Sequence, residues 1–392
     1  MNFTTLTAQP SDPILSMAAS FASDLRAEKI DLGLGVYRDV HGATPVMGAV
    51  KQAEDQLLSE QASKVYLGVE GDPVFVSALQ SLIFGGGSSP HCIGGFQAVG
   101  GTGALRLAAD LLAVEQMGRT VWIGMPSWPN HAALFKAAGL ETRTFRHSDP
   151  VTQTLYLAAI EAAIAAARPG DAIVLHGACH NPTGIDMDAA TWRHIGELLA
   201  ARQVLPVVDM AYHGFGVDLE EDLVGFRALL DVVPAALLAY SCSKNFALYR
   251  ERVGALFVVG SRAGVDLALS NMMPLARANY SMPPDHGAAV VRTILQSPQL
   301  SAAWRTELAQ MRTRVSGLRT KLGSYGQAGR IDLAPLGRQN GFFSMLAVTP
   351  DEVATLREDH GIYIVPNGRV NVAGLREEQL DAFVAGLAAL GR

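Results

Sequence analysis

The sequence has few cysteines and no long apolar stretch. Its 392 residues include only Cys92, Cys179 and Cys242, an odd number without metal-ligand spacing, which fits a reducing cytosol better than a disulfide-bonded secreted protein. No uninterrupted apolar run approaches the roughly 20 residues that a membrane span needs. Residues 1–17 lack the basic start and apolar core of a signal peptide. We therefore expect a cytoplasmic protein without a membrane partner or a bound metal.

Charge is also sparse. The 31 basic and 37 acidic residues give a formal net charge of −6, and no basic run is long enough to predict a nucleic-acid surface. Charged residues make up 17% of the chain and hydrophobic residues 49%, which excludes a disordered protein and favours a large buried core. Because 392 residues exceed the size at which one core usually stops growing, we expect two domains.

Short apolar segments alternate with helical patterns through the middle of the chain. Continuous apolar strands between amphipathic helices predict a mostly parallel sheet covered on both faces. The predicted strands are 96–99, 120–124, 142–145, 172–177, 205–210, 236–241 and 255–260, and the clearest helices are 102–116 and 188–203. A long helical pattern at 301–326 and a last helix at 377–390 follow. We predict a large α/β domain at 46–300 and a smaller domain made of 1–45 with 301–392.

Lysine is rare as well, with six in the chain, and Lys244 is unusually placed among them. It follows two serines, Ser241 and Ser243, at the end of the apolar segment 236–241, whereas the other five lie among polar or charged residues. Burying an ammonium group is costly unless the group is paired or loses its proton. Lys244 therefore either extends to the surface or takes part in chemistry.

Other predicted strands end in polar residues, and the carboxyl ends of strands are where open α/β sheets bind ligands. A glycine turn at 100–103 leads into a helix and offers free backbone N–H groups to an anion, but it matches neither the dinucleotide nor the nucleoside-triphosphate template. Asn181 precedes a proline, which alone indicates an ordinary turn. Asp209 ends an apolar strand and needs a cationic partner, for which a structural arginine is favoured when the residue is taken alone. The alternative partner for Asp209 is the protonated ring nitrogen of a cofactor.

The end of segment 236–241 adds the groups that a phosphate prefers. Ser241 and Ser243 have hydroxyls, and Arg252 follows Lys244 by eight residues. An amine that can form an imine, a carboxylate for a pyridinium and a phosphate cup are the parts that pyridoxal phosphate requires. The strand ends together therefore indicate a pyridoxal phosphate site.

The chain resembles the fold-type I, class I aminotransferases of the aspartate and aromatic amino acid branch over nearly its whole length. The strings that carry the resemblance are "IDLGLGVYRD", "KVYLGVEGDPVF", "GGTGALR", "PSWPNH", "HGACHNPTGID", "DMAYHGFG", "SCSKNFALYRERVGA", "RANYSMPPDHGA" and "GRVNVAGL". The resemblance implies a large domain with a mostly parallel seven-stranded sheet, a smaller α/β domain, and a homodimer with shared active sites.

The resemblance also implies a role for individual residues. Lys244 would bond covalently to the cofactor and, once released, move a proton during catalysis. Asp209 would keep the ring nitrogen protonated with support from His131, while Asn181 and Tyr212 would bind the 3′-oxygen. Trp128 would stack on the ring and contact the substrate. The phosphate would be held by Gly101, Thr102, Ser241, Ser243, Arg252 and, from the neighbouring subunit, Tyr66.

Substrate recognition is implied in the same way. Arg369, with Asn181 and the Gly35 backbone N–H, would bind the α-carboxylate, and a partner-subunit Arg277 would bind the distal carboxylate of aspartate or glutamate. Met282 replaces an asparagine common in dedicated aspartate enzymes, and a flexible apolar side chain there favours aromatic substrates as well.

The predicted reaction is therefore a ping-pong transfer between an aromatic or acidic L-amino acid and 2-oxoglutarate. The alternatives are a strict aspartate aminotransferase and another fold-type I enzyme, such as a lyase or decarboxylase. A catalytically silent scaffold protein would be expected to lack Lys244 or Asp209, and both are present. Ala247, where related sequences often have glycine, is expected to be tolerated.

Overall fold

The structure is a computed structural model of the single chain, and it describes residues 3–8, 13–85, 91–115 and 119–390. The α-helices are α1 Pro13–Ser23, α2 Gly48–Glu60, α3 Pro73–Phe84, α4 Gly100–Glu115, α5 Asn130–Ala137, α6 Leu157–Ala166, α7 Ala189–Arg202, α8 Glu221–Leu230, α9 Arg262–Asn279, α10 His286–Gln296, α11 Pro298–Ser324, α12 Pro350–His360 and α13 Leu380–Ala389. Within these described ranges, none of the helices combines the length and apolar character that crossing a membrane demands.

Strands alternate with these helices through the middle of the chain. They are β1 Ile30–Asp31, β2 Cys92–Val99, β3 Thr120–Met125, β4 Glu141–Arg146, β5 Ser148–Asp149, β6 Thr154–Leu155, β7 Ala172–His176, β8 Leu205–Met210, β9 Ala236–Ser241, β10 Val253–Gly260, β11 Gln327–Ala328, β12 Ile331–Asp332, β13 Phe343–Met345, β14 Ile362–Tyr363 and β15 Arg369–Asn371. Each of the seven segments predicted as strands is a strand, with ends that shift by a few residues.

A seven-stranded sheet organises the chain, in the order β2-β10-β9-β8-β7-β3-β4. The pairs from β9 through β4 are parallel, whereas β10 is antiparallel to both of its neighbours, β2 and β9. The predicted mostly parallel seven-stranded α/β fold is therefore confirmed. The register places His176 opposite Asp209, and Met210 opposite Tyr240, so polar strand ends converge on one edge.

Alternating side chains of the central strands pack into two different apolar clusters. Leu238 and Tyr240 of β9 belong to the cluster on one face of the sheet, and Leu237 and Ala239 belong to the cluster on the other face. Every residue of β9 and β10 is buried. This explains why the strands have continuous apolar sequences rather than alternating ones.

A third apolar cluster unites the two ends of the chain. Leu32 packs with residues from α11 to α13, and β1 pairs in parallel with β14. The long helix α11 contributes to two clusters, because Trp304 packs on the central sheet's core whereas Leu322 packs in the third cluster. The helix therefore connects the sheet to the chain ends.

The observed helix starts follow local capping chemistry. The helix predicted from residue 188 begins at Ala189, because Asp188 accepts a hydrogen bond from the Thr191 N–H at 2.8 Å and so caps it. The long helix starts at Pro298, before its periodic pattern becomes clear, because Ser297 caps it and proline suits the first position. The helix predicted at 102–116 extends at least from Gly100 to Glu115, and residue 116 lies outside the described residues.

Candidate active site

A cavity of about 250 Å³ opens at the carboxyl ends of the central strands. Its lining residues are Gly101, Thr102, Leu105, Trp128, His176, Ala178, Asn181, Asp209, Ala211, Tyr212, Ser241, Ser243, Lys244 and Arg252. Ten of these were predicted from the strand ends or from the resemblance as cofactor-binding residues: Gly101, Thr102, Trp128, Asn181, Asp209, Tyr212, Ser241, Ser243, Lys244 and Arg252. The fold thus brings together side chains that are far apart in the sequence.

The N-terminus of α4 forms one wall of the cavity, next to Arg252. The first N–H groups of a helix have no intrahelical partner, so those of the first turn are available to an anion. A Cβ added to Gly100, whose φ is +67°, would lie 2.7 Å from Nη2 of Arg252, and one added to Gly101 would lie 3.0 Å from the Cβ of Ser241. Glycine at both positions lets the helix backbone approach the arginine and serine closely.

Ser241, Ser243 and Arg252 complete this wall. Both serines are buried, and the Ser243 N–H donates to Ser241 Oγ at 3.3 Å. Arg252 donates from Nη1 to the Tyr249 carbonyl at 3.1 Å, which orients the guanidinium. Hydroxyls, a guanidinium and a helix N-terminus in one concave surface suit a phosphate monoester.

Asp209 also lines the cavity, and its partner is a histidine. His131 Nε2 donates to Asp209 Oδ2 at 2.9 Å. The structural arginine favoured from Asp209 taken alone is wrong, because the ion pairs of the described residues include no arginine to this carboxylate. Burial acts to raise the pKa of Asp209, but the hydrogen bond from His131 and the nearby His176 and Lys244 outweigh it and hold the pKa below its usual value.

A directed hydrogen-bond chain runs from Asn181 to Asp209. Burial lowers the pKa of His176 to about 3, so its ring is neutral, and its Nδ1 accepts the Asn181 backbone N–H at 3.3 Å. His176 Nε2–H must then donate to Ser127 Oγ, 3.2 Å away, and the same oxygen lies 2.9 Å from His131 Nδ1. His131 Nε2, which donates to Asp209, ends the chain.

His176 and Ser127 were not among the residues predicted from the sequence. His176 is the last residue of β7, directly before the "GACHNPTG" turn, so the strand-end criterion that selected Asp209 applies to it equally. Ser127 lies in the loop after β3, three residues from the helix that carries His131. Its role depends on two partners from separate segments, which no local pattern reveals.

Asn181 presents an unused acceptor beside the cavity. Its side chain is buried, and its Oδ1 has no hydrogen-bond partner among the described residues. Most buried polar atoms in folded proteins have a partner, so this oxygen indicates a ligand group that donates to it or a water. The residue lines the cavity, which makes a bound ligand the natural partner.

Lys244 lies in the turn after β9 and extends over the ring of Tyr212, with Nζ 4.8 Å from the ring centroid. Burial, opposed by Asp209 and assisted by Arg252 and Arg369, lowers the pKa of Lys244 to about 8. A substantial fraction of the amine is therefore unprotonated near neutral pH, as a base or nucleophile requires. Burial also raises the pKa of the Tyr212 hydroxyl, so that hydroxyl keeps its proton.

Arg369 lies on β15, outside the residues that line the cavity but close enough to affect Lys244 and Tyr212 electrostatically. It is 5% exposed, donates from Nη2 to the Gly33 carbonyl at 2.6 Å, and stacks 4.5 Å over the Phe343 ring. The same phenylalanine contacts Gly35, where an added Cβ would lie 2.8 Å from Phe343 Cζ. Gly35 and Arg369 are thus brought together on either side of one aromatic ring.

Tyr66 and Arg277 do not line the cavity in this chain. Tyr66 is 89% exposed, and Arg277 is an exposed residue in the last turn of α9 whose Nη1 donates to Ser281 Oγ at 3.2 Å. Met282, the residue directly after Ser281, is half-buried. Both residues predicted to serve a neighbouring subunit are therefore on the surface of a single chain.

Ala247 takes a left-handed backbone conformation, with φ of +54°, three residues after Lys244. We expect Ala247→Gly to raise the free energy of unfolding by about 0.5–1 kcal/mol, because glycine adopts this conformation without the Cβ clash but gains freedom in the unfolded chain. The matched control is Ala302→Gly, at an exposed position inside α11. This variant should lower the free energy of unfolding by about 1 kcal/mol. Urea unfolding of the apo-protein measures both, and a loss of stability in Ala247→Gly would contradict the expectation.

Comparison with known proteins agrees with this geometry. Residues 27–387 match the family model for aminotransferase class I and II. The chain is 49% identical to a tyrosine aminotransferase of Rhizobium meliloti (strain 1021), over 95% of this chain and 96% of that protein. It is 44% identical to an aspartate aminotransferase of Escherichia coli (strain K12), over 96% of this chain and 97% of that protein.

Solved structures give the same result. The aromatic-amino-acid aminotransferase from Burkholderia pseudomallei, covalently bound to pyridoxal phosphate, superposes with a TM-score of 0.94 at 36% identity, covering 100% of this chain and 99% of that one. A cavity lined by a phosphate cradle, a carboxylate and a lysine of lowered pKa matches that cofactor. The chain belongs to the class I and II aminotransferase family and is a pyridoxal-phosphate-dependent aminotransferase.

Proposed function

We propose that this enzyme transfers the amino group between an aromatic or acidic L-amino acid and 2-oxoglutarate by a ping-pong mechanism. The observation that carries the proposal is Lys244, whose amine of lowered pKa shares one cavity with a phosphate cradle and the carboxylate of Asp209. Relatives named as tyrosine and as aspartate aminotransferases, at 49% and 44% identity, support both substrate classes.

The residues present fit pyridoxal phosphate. When bound, this cofactor supplies an aldehyde carbon for covalent attachment and a protonated ring that accepts electrons from the substrate. The phosphate would be held by Ser241, Ser243, Arg252, the Thr102 hydroxyl and the N-terminus of α4. Asn181, through its side-chain amide N–H, and Tyr212, through its hydroxyl, would donate to the 3′-oxygen, and Trp128 would cover the ring face.

Asp209 would hold a proton on the ring nitrogen. A carboxylate with a pKa below its usual value stays ionised at neutral pH, and an ionised group opposite the nitrogen favours its protonated form. His131 orients Asp209 by donating to Oδ2, which leaves the other oxygen for the cofactor. This hydrogen bond stabilises the negative charge of the Asp209 carboxylate.

Lys244 would move the reacting proton. Its free amine would accept the proton from the substrate Cα and deliver it to the neighbouring carbon. A pKa of about 8 suits both directions near neutral pH, because neither protonation state is strongly favoured.

Arg369 would bind the substrate α-carboxylate, with Asn181 and the Gly35 backbone assisting. Its guanidinium is oriented by the Gly33 carbonyl and by the Phe343 ring, so its fork is held in place for a bidentate contact.

We further propose that 46–300 form a large domain and that 1–45 with 301–392 form a small domain, supported by the third cluster that joins both chain ends. Carboxylate binding would draw the small domain onto the cavity and exclude water.

The enzyme would act as a homodimer in the cytoplasm. Exposure of Tyr66 and Arg277 supports the dimer, because an interface would bury both and carry them into a partner's cavity. Tyr66 would then add its hydroxyl to the phosphate cradle, and Arg277 would bind a distal substrate carboxylate. Three free cysteines, in a described chain without disulfides, support a reducing compartment.

Subunit complementation tests the shared active site. Lys244→Ala and Arg277→Ala homodimers should each transaminate aspartate poorly, whereas their mixed dimer has one site with an intact Lys244 and an intact Arg277. A refolded 1:1 mixture should recover about a quarter of the wild-type activity, since half of the dimers are mixed and each has one restored site. Steady-state assays with aspartate measure this. A mixture no more active than its parents, or a fully active monomer in sedimentation, would contradict the shared site.

The substrate class is tested by half-reactions. Aspartate, glutamate, phenylalanine and tyrosine, each added without an oxo acid, should convert the cofactor to its aminated form and shift the visible absorption band. Met282, beside Arg277, supports acceptance of aromatic rings, because methionine adapts to apolar ligands. A shift with aspartate and glutamate alone would identify a strict aspartate enzyme, and loss of carbon dioxide or of the side chain would identify a decarboxylase or lyase.

A further inference from the structure

The turn that carries Lys244 rests on a buried polar bridge on the side of the sheet away from α4. Tyr240, at the end of β9, reaches two residues through its hydroxyl: His213 Nδ1 at 2.8 Å and Asn245 Nδ2 at 2.8 Å. All three side chains are 0% exposed. His213 directly follows Tyr212 in sequence, and Asn245 directly follows Lys244, so the bridge connects the segments that bear two residues of the cavity.

The direction of each hydrogen bond in the bridge is determined. His213 Nε2 lies 2.7 Å from the Leu219 carbonyl, which can only accept, so Nε2 carries the ring proton. Burial lowers the pKa of His213 to about 4, so the ring is neutral and Nδ1 must accept from the Tyr240 hydroxyl. The Tyr240 oxygen then accepts from the Asn245 amide. One hydroxyl therefore satisfies an acceptor and a donor at once.

Helix α11 holds the same turn from a second direction. Trp304 donates from Nε1 to the Asn245 carbonyl at 2.7 Å. Its ring stacks on Phe246, with centroids 4.4 Å apart and planes 2° from parallel. The backbone of the turn is thus fixed by α11, and its lateral position relative to the Tyr212 segment is fixed by the bridge through Tyr240.

We propose that Tyr240 is a positioning residue, which with His213 and Asn245 locks the Lys244 turn to the Tyr212 segment and keeps the Lys244 amine inside the cavity. This rests on the proposed role of Lys244. Removing the Tyr240 hydroxyl leaves a buried acceptor on His213 and a buried donor on Asn245 without a partner, and such groups are costly to keep buried. The two segments would relax apart to hydrate them.

The pKa of the Lys244 amine reports whether the turn keeps that amine inside the cavity. The groups that face Lys244 are Asp209, Tyr212, Arg252 and Arg369, and burial has the largest effect of all on its pKa. A turn that moves outward admits water to Nζ, which weakens the effect of burial while the charges around the cavity stay the same. The pKa of Lys244 should then rise toward that of an ordinary lysine.

The test is competitive labelling of the apo-protein with acetic anhydride across a pH series, with Lys244 acetylation followed by peptide mapping. Tyr240→Phe should raise the labelling pKa of Lys244 by about one unit. In the loaded enzyme it should lower kcat about tenfold and leave the dissociation constant for the cofactor nearly unchanged, since the phosphate cradle is untouched.

Two further variants separate positioning from general loss of stability. Tyr363→Phe removes another buried hydroxyl, which donates to Asp24 at 2.7 Å, and should leave the labelling pKa of Lys244 unchanged. His213→Gln retains an acceptor and an N–H donor, so the labelling pKa of Lys244 should stay at its wild-type value. In His213→Leu the labelling pKa of Lys244 should rise as it does in Tyr240→Phe.

An unchanged Lys244 labelling pKa in both Tyr240→Phe and His213→Leu would overturn the proposal, as would an equal rise in Tyr363→Phe. Because the labelling uses apo-protein, its outcome is independent of catalysis. Attachment of the cofactor to a different lysine would instead overturn the proposed role of Lys244 while leaving the labelling results as they are.

Discussion

Lys244→Ala should lose nearly all turnover, by about 10⁴-fold or more, while the protein still binds pyridoxal phosphate without a covalent bond. The retained binding is expected because Ser241, Ser243 and Arg252 do not depend on the lysine side chain for their positions. Single-turnover kinetics with aspartate measures the loss. Equilibrium dialysis of the cofactor measures the binding that remains.

The matched control for this variant is Lys51→Ala, because Lys51 is an exposed residue of α2 outside the cavity lining. Its turnover should equal that of the wild type. Turnover of Lys244→Ala above roughly a hundredth of the wild-type value would show that Lys244 is not the proton-transfer group, since general acid–base catalysis alone contributes at least about 10²-fold.

Arg277→Ala should distinguish acidic from aromatic substrates. Losing a charge partner for the distal carboxylate typically costs about 2–5 kcal/mol, so kcat/KM for aspartate should fall roughly 30- to 5,000-fold. Phenylalanine has no distal carboxylate, and its kcat/KM should change by less than about threefold. The exposed arginine is held only by Ser281 Oγ among the described residues, which favours a side chain free to move away from an aromatic ring.

Arg262→Ala is the control for Arg277→Ala, since it removes an exposed arginine from the first residue of the same helix. It should leave kcat/KM unchanged for both amino acids. An equal fall for aspartate and phenylalanine in Arg277→Ala would contradict a role specific to the distal carboxylate. Wild-type values for phenylalanine and tyrosine orders of magnitude below aspartate would identify a strict aspartate aminotransferase.

The sheet and most of the cavity lining could be predicted from the sequence for one physical reason. Parallel strands buried on both faces have continuous apolar sequences, so each strand end is visible as the first polar residue after an apolar run. Asp209 and Ser241 were found in this way. Because those ends converge on one edge of the sheet, their chemistry could be combined before their distances were known.

Contacts that depend on register and side-chain direction could not be predicted. The contact between Asp209 and His131, which lies 78 positions earlier, was expected only from the family resemblance, because nothing near Asp209 in the sequence distinguishes a histidine partner from an arginine. Ser127 links two histidines only because β3 and β7 are neighbours in the sheet. The sequence around Tyr240 is that of any buried strand. Its hydroxyl is distinguished only by its hydrogen bonds to His213 and Asn245, which the folded chain places next to it.

The attachment point of the cofactor tests the account most directly. The holoenzyme should be reduced with borohydride, which fixes the bond between cofactor and lysine, then digested and mapped by mass spectrometry. Six lysines are available, and the account predicts that the phosphopyridoxyl label lies on Lys244 alone. A label on any of the other five would contradict the proposed mechanism.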